Sequence, residues 1–188
     1  MIDLRKAKEF AALWDTYTEL EKEYEKAYAK KQADYILQLV GEFKSFFEKS
    51  GIEVEEPKLV EDPPQIFTKV VKTNLSTLSC TLTLKYTKSK ITNISLVWAT
   101  EDLTPCYQYF EAKPDRKLEK LKTATSKDID QNIAAISNAI AQIKQNIASD
   151  LTYQIWSTGV DHRPSEGGTF MNLKKVNSLT EVLDGIYK

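Results

Sequence analysis

Residues Ser126–Asp150 read SKDIDQNIAAISNAIAQIKQNIASD, with isoleucine at Ile129, Ile133, Ile136, Ile140, Ile143 and Ile147. The intervals alternate between four and three, a heptad seam with isoleucine at both core positions. Gln, Asn, Ser, Lys and Asp fill the other faces, with alanines that favour helix and admit a close neighbour. The stretch predicts a coiled-coil-like amphipathic helix that requires a partner surface. Pairing with the N-terminal helical segment of the same chain is the favoured reading. A homo-oligomer through Ile129, Ile133, Ile136, Ile140, Ile143 and Ile147 is the second, since isoleucine at both positions suits trimers or tetramers of free helices. A foreign protein is the third.

Upstream, Pro114 is read as opening this helix, so that residues 114–150 form one long helical segment. Leu118 and Leu121 sit out of register with the isoleucines, which predicts a stutter between Thr123 and Ser126. Residues 3–49 are helical by pattern. Phe10, Trp14, Tyr17, Tyr24 and Tyr28 form an aromatic seam, interrupted by Glu21 and flanked by Leu20. Such bulky rings suit a broader partner than a narrow two-stranded coil, such as a sheet face. Ile36, Leu39, Val40, Phe43, Phe46 and Phe47 make a second stripe, and Gly51 a C-cap. One helix or a hairpin broken between Lys30 and Asp34 fits the pattern equally.

Between the helical segments lies a β-meander over residues 65–111, after an acidic, proline-broken connector. Gln65–Lys72 opens it. Leu78, Cys80, Leu82, Leu84 and Tyr86 alternate with Ser, Thr and Lys, a strand with one packed and one polar face. A turn at Lys88–Lys90 leads to Ile94, Leu96 and Trp98, then to a third strand at Tyr107–Phe110. Residues 151–188 hold strands at Leu151–Ser157 and Thr169–Val176. A short helix follows, begun by a capping box in which Ser178 accepts from the Glu181 amide and Glu181 reaches back. The fold expected is a single α+β domain, residues 1–188. An antiparallel sheet of about five strands packs there against long amphipathic helices from the N-terminal and C-terminal halves.

Composition narrows the function. With 41% apolar residues the chain builds a real core, and 26 basic against 27 acidic side chains give no global pull toward nucleic acid or anionic membrane. The charged N-terminus is not a secretory signal, and no run of 18 apolar residues exists to span a bilayer. Two cysteines without ligand-spaced histidines fit a reducing compartment, and the cytoplasm is expected. No phosphate-binding glycine motif, metal set or nucleophile elbow is present, so no cofactor or metal is expected and the reading leans away from an enzyme. Trp14, Tyr17, Tyr24 and Tyr28 are the candidate contact residues for a protein partner, because Tyr and Trp dominate binding hot spots.

The expected function is therefore a non-catalytic protein–protein interaction module, an adaptor, inhibitor or accessory subunit presenting helical and sheet surfaces to a macromolecule. An alternative is a small-molecule binder or hydrolase using Asp161, His162, Arg163 and Glu166, on the loop that holds the single histidine. A further alternative is salt-dependent nucleic-acid binding through the Lys113–Lys127 segment, with Lys117, Lys120 and Lys122. Asp115 and Glu119 interrupt that segment, and a solvated helix face explains it as well.

Overall fold

Apolar and polar residues alternate along Cys80–Tyr86 and again along Ile91–Ala99, and a period of two buries every second side chain of a strand. In the computed structural model these two segments form the centre of a sheet. It describes residues 3–61, 64–69, 79–87, 91–99, 102–114, 128–148, 152–160 and 173–187. The elements are α1 (Leu4–Glu48), β1 (Lys58–Glu61), β2 (Pro64–Lys69), β3 (Cys80–Tyr86), β4 (Ile91–Ala99), β5 (Pro105–Pro114), α2 (Ile129–Ala148), β6 (Tyr153–Ser157), β7 (Lys174–Val176) and α3 (Leu179–Ile186). The fold class is α+β. Chain contacts divide it into two units, Met1–Lys31 with Asp115–Thr152 and Gln32–Pro114 with Tyr153–Lys188.

The second unit holds a seven-stranded sheet in the order β1 to β7, each strand antiparallel to the next. Its packed face is read across the ladder. Leu84 lies opposite Ile94, and Ile94 opposite Phe110; Leu82 lies opposite Leu96. All five are buried. The second half of α1 covers them with Ile36, Leu39, Val40, Phe43 and Phe47, and α3 adds Leu179, Val182 and Leu183. Among the described residues of the C-terminal half, the helix that joins the sheet core is the short α3.

A register shift between Lys85 and Tyr86 pairs Tyr86 with Ile91. This bulge returns Ile91 to the buried side, one residue out of the alternation that Ile94, Leu96 and Trp98 keep. β1 falls inside the stretch read as a connector. It is short, charged at both ends and at the sheet edge, where such strands resist unwanted pairing. Pro114 ends β5 opposite Tyr153, and residues 115–127, read as the first part of the helical segment, lie outside the described residues. Proline is tolerated at a strand terminus, where one missing donor costs little. The stutter at Thr123–Ser126, the turn at Lys88–Lys90 and the strand start at Thr169 lie outside the described residues.

The helix ends are explained locally. At the end of α1, Ile52 N donates to Phe47 O and Gly51 N to Glu48 O, with Gly51 at φ 72°. This is a Schellman cap, and the left-handed residue is the glycine that pays no Cβ penalty. At the start of α3, Glu181 N donates to Ser178 Oγ at 3.1 Å. The Glu181 carboxylate reaches back to the Asn177 amide, and Glu42 of α1 accepts from Leu179 N at 2.9 Å. α3 is thus capped by its own sequence and by the helix it lies beside.

The first unit pairs the first part of α1 with α2. Lys6 forms an ion pair with Asp130, which brings the two N-terminal turns together. Farther along, Tyr17 is buried with Ile136, Ile140 and Ile143, and Tyr24 and Ile147 pack on the same cluster. Helices that meet at their first turns and stay in contact through Ile147 run in the same direction. Ile136, Ile140, Ile143 and Ile147 of the isoleucine seam thus pack against α1 of the same chain.

Candidate functional site

The aromatic residues of α1 separate by burial. Tyr17 is 6% exposed and Trp14 38%. The residues that pack toward α2 are Phe10, Leu13, Tyr17, Leu20 and Tyr24, so Leu13 takes the seam position that the pattern assigned to Trp14, and Leu20 the turn that Glu21 interrupts. A 3.6-residue helix presents both the i+3 and i+4 neighbours of Phe10 near one stripe, and contact with α2 selects Leu13. Nor do the rings need a sheet face: Tyr17 fits among the isoleucines, its hydroxyl donating to Glu21 at 3.5 Å. Trp14 is held between Phe10 and Tyr17, at ring-centroid distances of 6.1 and 5.8 Å. Tyr28 is half-buried against Tyr24 at 6.0 Å.

A second surface is the face of the sheet opposite the core. Thr81, Val97 and Tyr107 make one cross-strand row and Thr83, Ser95 and Tyr109 the next. Glu111, Trp156 and Lys175 make a third. None of these side chains is buried; all are half-buried except the exposed Lys175. Tyr107 and Tyr109 stand about 7 Å apart along β5. Trp156 lies diagonally across from Tyr109, within reach of a long ring.

The β5–β6 border beneath them is tied tightly. Thr158 N donates to Tyr109 O at 2.9 Å, and Tyr109 N donates to Thr158 Oγ1 at 3.1 Å. From the packed side, Gln108 Nε2 donates to Ser157 Oγ at 2.6 Å. The result is a firm platform carrying two tyrosines, a tryptophan, Val97 and short hydroxyl side chains, with Lys85 and Lys175 against Glu111 as its described charges on β3 to β7. Sequence alternation contained this signal. Tyr107 and Tyr109 fall out of phase with Cys106 and Phe110, and Trp156 out of phase with Ile155, so a face expected to be polar carries three large rings.

Cys80, Trp98 and Cys106 form a row on the packed face. Two strand spacings put the cysteine Cα atoms about 10 Å apart, beyond disulfide reach; neither is in a disulfide and both are buried. Burial pushes the Cys80 thiol up to about 12. Burial also raises the Cys106 thiol, as does the nearby Asp102 carboxylate, and both shifts disfavour the thiolate that a nucleophile needs. Among the described residues no group of three His, Cys, Asp or Glu is placed to hold a metal ion, and no helix is long and apolar enough to cross a membrane. Asp161, His162, Arg163 and Glu166 lie outside the described residues, as do Lys117, Lys120 and Lys122. No family model, curated protein or solved structure matches the chain.

Proposed function

We propose that this chain is a non-catalytic protein-binding module of the cytoplasm, an adaptor, inhibitor or accessory subunit, and that the open face of its sheet receives the partner. The observation that carries this reading is the grouping of Val97, Tyr107, Tyr109 and Trp156 on one firm sheet face, none of them buried. Tyrosine and tryptophan give large contact area for little lost side-chain freedom, and they dominate the centres of protein interfaces. The weak, mixed charge of this face favours a protein over a nucleic acid, whose phosphates need several uncompensated cations.

The test is capture of partners from a lysate of the source cell on immobilised wild-type chain, beside Tyr107→Lys and Trp156→Lys variants of unchanged circular dichroism. A protein held by the wild type and lost from both variants supports the reading. Equal recovery on all three, or recovery only of nucleic acid that falls off as salt rises, contradicts it. Self-association through the helical unit is a second reading, and the half-exposed Trp14 beside a thin core favours it.

A further inference from the structure

We draw no further inference here: the strongest candidate, the half-exposed aromatic stripe around Trp14 on the first part of α1, is an apolar helix face, and nothing in the structure shows what covers it.

Discussion

Tyr17 and Trp14 lie three residues apart on one helix and have opposite fates, and a heptad written on the sequence does not separate them. Both rings fall near the same stripe, and only the position of α2 decides which is enclosed. The same limit applied at Cys80, whose place on an apolar strand face was legible, while the coverage that perturbs it was not. Burial pushes its thiol from 9.0 to about 12, and burial also raises the phenols of Tyr35 and Tyr187. All three are neutral when protonated, so the folded chain holds these protons more tightly than the unfolded one. Their contribution is complete below about pH 9 and is lost as pH climbs toward 12, because the unfolded chain ionises first. Urea midpoints should therefore fall from pH 9 to 10.5, and Cys80→Val should shallow that fall. An identical pH profile for the wild type and the variant would show that Cys80 is not shielded.

At the scale of elements, hydrophobic period and cap chemistry were the legible signals. The Schellman glycine at 51, the capping box at Ser178 and the strand β3 all follow from residues within one turn or one strand of each other. What escaped was set by distant neighbours. β1 exists because Leu59 and Val60 find Ile66 and Gln65 across a hairpin, and its own four residues carry too little pattern to announce it. The bulge that rescues Ile91 is likewise a property of the pair β3–β4. α1 raised a different question, since no glycine or proline marks a break and a hairpin fitted the stripes as well as one helix. The structure has a single helix of 45 residues. Ala33→Pro, at an exposed position in mid-helix, should cost about 3 kcal/mol or more in chemical denaturation, by removing a hydrogen bond and crowding the preceding turn. A loss within about 0.5 kcal/mol would mean that the chain turns there.

For the molecule as a whole, the α+β class was legible because both periods were strong, and part of the seam packs within the chain, Ile136, Ile140 and Ile143 being buried with Tyr17. The sheet's outer face was expected as a polar contact surface, and its aromatic rings were not anticipated. Threonine and serine between the core positions of β3 and β4 made it look uniformly polar, and the rings at Tyr107, Tyr109 and Trp156 were counted with their strands rather than with their side of the sheet. Everything proposed for partner binding depends on that face being open in solution. Hydroxyl-radical footprinting of the full chain, read residue by residue by mass spectrometry, measures this directly. Tyr107, Tyr109 and Trp156 should oxidise severalfold faster than the buried Tyr17 and Trp98. Protection of all three to the level of Trp98 would show the face already covered by the chain itself and contradict its use as a binding surface.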